Sequence, residues 1–291
     1  MLRRVRGQGA LQRDCSNLRF CKKASAVFLL LFFGFAVGLK AQLVHEINPA
    51  KASSGYLLSL AEYNAKATVS CNVCLPADAQ RLARGLQDWN ELSRYHADDL
   101  RIESTQPIPG RVVFLGDSIT NHWDLSKYFP GKPYVNRGIG GQTTQQMLVR
   151  IYPDVIDLRP AAVIILAGTN DIARNTGPET ATMVEENFRA MTELARVHHI
   201  KVILCALTPV SNYTAQLQTT QRPPSNILEL NAWLRKYAAE SGAIFADYYS
   251  PVVDDKGMFR KGYSKDGLHP NDRGYALLAP VAETAIEKAL Q

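Results

Sequence analysis

Residues 112–120 read Val112-Val113-Phe114-Leu115-Gly116-Asp117-Ser118-Ile119-Thr120, an apolar run that stops at a glycine and passes directly into Asp-Ser. Val112–Leu115 has the composition of a strand buried on both faces. Gly116 permits the sharp turn that sets Ser118 at the start of the next helix. There the positive end of the helix dipole favours negative charge on the serine oxygen. An Asp-Ser pair at this position serves equally well as a helix N-cap, so its meaning depends on what meets it.

The same junction recurs downstream. Strand candidates follow at Tyr134–Asn136, Ala162–Ala167, Val202–Leu207 and Ala243–Ala246, separated by amphipathic segments at Gln145–Leu158, Thr180–His198 and Ile227–Ser241. Continuous apolar strands alternating with helices specify a parallel sheet covered on both faces. The expectation is an α/β fold, a three-layer α/β/α sandwich around a five-stranded parallel, flavodoxin-like doubly wound sheet. Its binding crevice belongs at the carboxyl ends of the strands.

Three more stretches meet that rim. The second strand runs into Asn136-Arg137-Gly138-Ile139-Gly140-Gly141-Gln142-Thr143-Thr144. Its clustered glycines let backbone N–H groups approach a ligand closely, but the spacing is not that of a dinucleotide loop. The third strand runs into Leu166-Ala167-Gly168-Thr169-Asn170-Asp171, which offers a carboxamide as a donor. Near the C-terminus stands Ser264-Lys265-Asp266-Gly267-Leu268-His269-Pro270-Asn271. Three positions apart in a Gly- and Pro-containing loop, Asp266 can fold back onto His269. It would fix the tautomer and leave the other ring nitrogen to accept a serine proton. His45, His96, His122, His198 and His199 have no such companion.

These four ordered blocks, spread over roughly residues 110–285, resemble the SGNH/GDSL hydrolases, whose blocks carry Gly-Asp-Ser, a functional glycine, Gly-x-Asn-Asp and Asp-x-x-His. The resemblance implies a triad of Ser118, Asp266 and His269. It also implies an oxyanion hole built from the backbone N–H groups of Ser118 and Gly141 and the side chain of Asn170. The family's glycine falls five residues after the strand-end Asn, which selects Gly141, with Gly140 one register away. Gln142 stands where many relatives have an acid; it is expected, with Gly140 and Arg222, among the substrate contacts. Arg222 and Arg174 are candidates for an acidic sugar or for solvated surface. Asp117 and Asp171 are expected to be structural carboxylates.

The implied activity is carboxylic ester hydrolysis through an acyl-enzyme on Ser118, with no metal or organic cofactor. The run Gly138-Ile139-Gly140-Gly141-x-Thr-Thr resembles the acetylhydrolase branch, which favours short acyl groups, so an acylated glycan or lipid is the expected partner. Two further classes stay open: a polysaccharide O-acetyltransferase using the same acyl-enzyme, and a catalytically silent glycan- or lipid-binding module.

Charge bears on location. Of the 33 Lys and Arg, eight lie in residues 1–41 against one acid, which leaves 25 bases and 26 acids in the remainder. The formal +6 is therefore a property of the leader, and nucleic acid is not an expected partner. After Lys22-Lys23 an apolar run extends from Ala24 to Leu39; at 16 residues it is short of the roughly 20 that a spanning helix needs. Residues 1–41 are read as a signal peptide or N-terminal membrane anchor, so the protein is expected to be exported, periplasmic or secreted. Membrane contact is expected only through residues 24–39, if retained. Residues 42–105 read as an extension with a helix over Pro76–Leu100, and 106–291 as the hydrolase domain. Cys71 and Cys74 read as a local disulfide, and Cys205 as a buried small hydrophobe.

Overall fold

The computed structural model describes residues 88–291. The leader, the Cys71–Cys74 pair and most of the extension lie outside the described residues. Among the described residues no helix is long and apolar enough to cross a membrane.

Five parallel strands form one sheet: β1 (Val112–Gly116), β2 (Tyr134–Gly138), β3 (Ala162–Leu166), β4 (Lys201–Cys205) and β5 (Ile244–Ala246), in the order β2-β1-β3-β4-β5. Every residue of β1 and β3 is buried, as their unbroken apolar sequences require. Helices cover the sheet. α1 (His96–Glu103) precedes β1, and α2 (Ser118–Asn121) and α3 (Leu125–Tyr128) follow it. α4 (Thr144–Val149) follows β2; α5 (Thr169–Ile172) and α6 (Ala181–Val197) follow β3. α7 (Gln218–Gln221) and α8 (Pro224–Ser241) connect β4 to β5, and α9 (Asp272–Leu290) closes the chain. Phe188 of α6 packs on Trp233 of α8. Tyr275 of α9 lies against Trp123 and donates to the Ile119 carbonyl at 2.7 Å, tying α9 to α2. Cys205 is a fully buried free thiol.

Some boundaries differ from the sequence reading. The helix expected over Pro76–Leu100 is described only from residue 88; it is turns up to α1, with Trp89, Leu92 and Leu100 exposed. The buried side of this stretch is instead Asn90, Asp99 and Ile102. The segment Gln145–Leu158 is broken into α4 and a π-helical turn, Tyr152–Ile156, because Pro153 has no N–H to continue the ladder. β4 ends at Cys205 rather than Leu207, and α8 gains an N-terminal turn with Pro224 in its first position.

The first two strand ends are locked together by polar groups. Asn136 donates to the carbonyls of Thr120 (2.7 Å) and Trp123 (3.0 Å) and accepts from the Gly138 N–H, so β2 holds α2. Arg150 is fully buried. It donates to the Gly116 carbonyl (3.0 Å), the Arg137 carbonyl (2.8 Å), Asp154 (2.5 Å) and the Gln142 side chain (2.6 Å). Arg137 pairs with Asp98 and Asp99 of α1. Asp171 accepts from the Thr144 N–H at the start of α4 (2.9 Å) and from the Thr144 hydroxyl. It also shares a hydrogen bond with Glu179, which accepts from Gln145 and Thr176, both at 2.9 Å. Burial, and then the neighbouring Asp171 charge, push the Glu179 carboxyl up to about 8, and burial raises Asp171 too.

Two expectations follow from this packing. A Cβ on Gly138 would overlap the backbone of α2, at 2.6 Å from Thr120 C and 2.7 Å from Asn121 Cα, neither of which can yield as a side chain would. Gly138→Ala should therefore cost about 3 kcal/mol and lower the melting midpoint by roughly 6–12 °C in a domain of this size; an unchanged midpoint would refute the close approach. Glu179 is held protonated in the fold, so the folded state keeps a proton that the unfolded chain loses above its ordinary value of 4.5. Its stabilising share is complete below that value and disappears as pH rises to about 8. Glu179→Gln should flatten the melting midpoint's fall across this window and leave the variant the more stable protein at pH 8–9. Thermal melts from pH 5 to 9 measure this, and identical slopes would contradict the shared proton.

Candidate active site

The sheet order places a topological switch point between β1 and β3, where the chain leaves in opposite directions and a crevice opens at the carboxyl ends. Gly116 pairs with Gly138 on one side and Leu166 on the other, so the three loops that follow depart at the same level. Ser118 opens α2 from the first loop. Asp117 caps that helix, its Oδ1 accepting from the Ile119 N–H at 2.8 Å. Buried completely, the Asp117 carboxyl is pushed up to about 7. It acts on the backbone, as the structural reading expects.

The C-terminal loop reaches the same point. His269 Nε2 lies 2.8 Å from Ser118 Oγ, and His269 Nδ1 lies 2.6 Å from Asp266 Oδ2. The other carboxylate oxygen, Oδ1, accepts from the backbone N–H groups of Leu268 (3.0 Å) and His269 (2.8 Å). Burial alone would raise the Asp266 carboxyl, but these N–H groups and the imidazole hold it below its ordinary range. The loop is pinned on both sides. The Gly267 carbonyl accepts from the Ser211 N–H, and Asn271 caps α9 by accepting from the N–H groups of Arg273 and Gly274. Ser118 is 8% exposed.

Gly140 stands beside the serine: a Cβ there would sit 3.8 Å from Ser118 Cβ, and both Gly140 and Gly141 are exposed. Gly141 has φ +81°, a left-handed conformation that suits glycine. Its carbonyl accepts from Asn175 Nδ2 at 2.9 Å, which sets the turn of the loop. Asn170, at the start of α5, donates from Nδ2 to the Gln142 carbonyl at 3.0 Å. Ser118, His269 and Asp266 thus form one hydrogen-bonded chain, with Gly140 beside the serine and Asn170 bonded to the backbone just after Gly141.

Two expected substrate contacts are placed otherwise. Gln142 is buried with its side chain turned away from the crevice: Nε2 donates to the Asn90 carbonyl (2.8 Å) and Oε1 accepts from Arg150 (2.6 Å). A carboxamide can serve a donor and an acceptor at once, and here both are protein atoms. Arg222, expected at an acidic sugar or in solvent, is only 6% exposed and donates from Nη2 to Asn170 Oδ1 at 3.2 Å. Arg174, just past α5, adopts φ +63°.

Three residues that the sequence reading passed over also belong here. His122, one helical turn after Ser118, packs edge-on against His269 with ring centroids 5.3 Å apart. Burial first, and then its neighbours His269 and Lys265, depress its basicity. Asn175 and the buried Arg150 complete the support of the glycine loop. Only His122 carried a signal, its spacing of four from the serine.

Comparisons with known proteins agree with this arrangement. The model of the GDSL-like lipase/acylhydrolase family matches residues 114–277. A solved GDSL-like lipase from Bacteroides thetaiotaomicron is 37% identical with a TM-score of 0.64, over 69% of this chain and 99% of that one. Among curated proteins, esterase TesA of Pseudomonas aeruginosa is 27% identical over 140 residues, which are 47% of this chain and 60% of that protein. The uncharacterized lipoprotein YqeF of Bacillus subtilis is 34% identical over 118 residues, 34% of this chain and 49% of that protein. The chain thus spans about half to three fifths of the length of these curated relatives. A family model that covers more than half of the sequence, including all four blocks at the crevice, shows that the protein belongs to the GDSL-like lipase/acylhydrolase family of ester hydrolases.

Proposed function

We propose that the protein is an exported serine esterase that hydrolyses short-chain or acetyl esters of a glycan or lipid through an acyl-enzyme on Ser118. The observation that carries this reading is the unbroken chain Ser118 Oγ, His269, Asp266, with contacts of 2.8 and 2.6 Å. His269 takes the hydroxyl proton from Ser118 as the oxygen attacks the ester carbonyl. Asp266 keeps Nδ1 protonated and stabilises the imidazolium that forms. The oxyanion is received by the N–H groups of Ser118 and Gly141 and by Asn170. One Nδ2 hydrogen of Asn170 is engaged by the Gln142 carbonyl, and the second is free to donate. His269 then returns the proton to the leaving alcohol, and water, activated by the same base, releases the acid.

A small acyl group suits a serine that has Gly140 beside it and His122 against its catalytic imidazole, neither of which offers an apolar wall. Export is supported by the basic and apolar leader and by the lipoprotein name of the Bacillus relative.

Activity of the purified protein on p-nitrophenyl acetate, butyrate and octanoate tests the acyl preference. kcat/KM should fall by about tenfold or more from acetate to octanoate, an amount that one or two poorly accommodated methylenes supply. Octanoate turned over as well as acetate would overturn the short-chain assignment. Ser118→Ala should abolish hydrolysis and phosphonate labelling while the melting midpoint stays nearly unchanged, since among the described residues the hydroxyl loses one bond, to His269. A stable Ser118→Ala protein with full activity would overturn the esterase reading.

A further inference from the structure

Arg222 is an unusual residue to find inside this domain. It lies just past α7 on the connection between β4 and α8, and it is 6% exposed. Its nearest carboxylates, Asp117 and Asp266, act on it through space, and among the described residues it forms no ion pair with either. Its Nη1 donates to the side chains of Gln218 (3.1 Å) and Gln221 (3.4 Å), and its Nε has no acceptor among the described residues. A buried cation satisfied only by neutral amides destabilises a fold, so its position calls for another reason.

That reason is at Nη2, which donates to Asn170 Oδ1 at 3.2 Å. A guanidinium carries only donors, so the atom of the Asn170 amide that faces it must be the oxygen. The Gln142 carbonyl, at 3.0 Å, carries only lone pairs, so the atom that faces it must be the nitrogen. The carboxamide is therefore held in one of its two flips by a cation on one end and a carbonyl on the other. A charge-assisted bond to the amide oxygen also draws electron density from the nitrogen and makes its remaining N–H a stronger donor.

We infer that Arg222 is a positioning residue: its guanidinium fixes the Asn170 carboxamide with Nδ2 toward the serine and polarises it, so the oxyanion stabilisation that Asn170 supplies depends on Arg222. The inference rests on the serine-esterase reading above. It differs from a role in substrate binding because Arg222 acts through Asn170 and touches no reacting atom.

A double-mutant cycle tests it, with wild type, Arg222→Met, Asn170→Ala and the double variant assayed on p-nitrophenyl acetate. Inhibition by butylboronic acid, whose serine adduct is tetrahedral and anionic, is measured in parallel. Asn170→Ala should lower kcat by about a hundredfold, as loss of one oxyanion donor does. Arg222→Met should lower kcat by about tenfold with KM nearly constant, and weaken boronate inhibition by the same factor. In the Asn170→Ala background, Arg222→Met should cost nothing further. Arg222→Lys should recover part of kcat, because an ammonium can reach the same oxygen. Melting midpoints and phosphonate titration count the folded, competent sites; if Arg222→Met does not fold, Arg222→Gln and Arg222→Lys run the same cycle. Equal losses in both backgrounds, or a raised KM with unchanged kcat, would overturn the inference. Either result in an enzyme that Ser118→Ala inactivates leaves the esterase reading standing. An active Ser118→Ala protein removes both.

Discussion

Gly116, Gly138 and Leu166 stand side by side at one edge of the sheet, and the chemistry at the crevice depends on that alignment. A parallel ladder fixes register through evenly spaced hydrogen bonds, so a slip of one residue would move a strand end by about 3.3 Å and turn its side chains to the opposite face. A shift of that size exceeds the whole length of the contacts that join Ser118, His269 and Asp266. β1 and β3 are buried on both faces, so no slipped register could avoid burying the wrong residues. The hydrophobic pattern of the strands is thus what brings distant polar residues together.

Beneath the rim the protein places charge where apolar packing would have been more stable. Arg150 gathers carbonyls from the ends of β1 and β2 together with the Gln142 side chain; Arg137 draws in α1; the Asp171–Glu179 pair holds the start of α4. Each is a polar group that only a defined geometry satisfies. The loops that carry Ser118, Gly141 and Asn170 are short and glycine-containing, and without such braces they would have several conformations of similar energy. The result is a preorganised set of donors, which spares the reaction the cost of ordering them.

How much of this could be read in the sequence divides along physical lines. The five strands were legible because a buried parallel strand must be continuously apolar, and Ser118, Asn170, Asp266 and His269 because residue type and order suffice to mark them. The direction of side chains was not legible. Gln142 directly follows the exposed Gly140 and Gly141, and its inward turn is dictated by Arg150 and Asn90, residues eight and fifty-two positions away. Arg222 reads as surface because arginine is seldom buried; the acceptors on Gln218 and on Asn170, fifty-two positions earlier, give it a place inside. The turns before α1 read as helix because Leu92 and Trp89 have helical spacing, yet the buried residue among them is Asn90.

The connection between β4 and α8 has a consequence for protein engineering. In α/β enzymes such connections are natural units of exchange, since they border the site while the scaffold stays intact. Here residues 206–223 supply both the Ser211 N–H that holds Gly267 of the His269 loop and the cation bonded to Asn170. A chimera that inherits this segment from a relative with no arginine at that place would keep every residue of the catalytic motif and still lose the brace on its amide. Grafts aimed at a new substrate therefore need to carry the arginine with them.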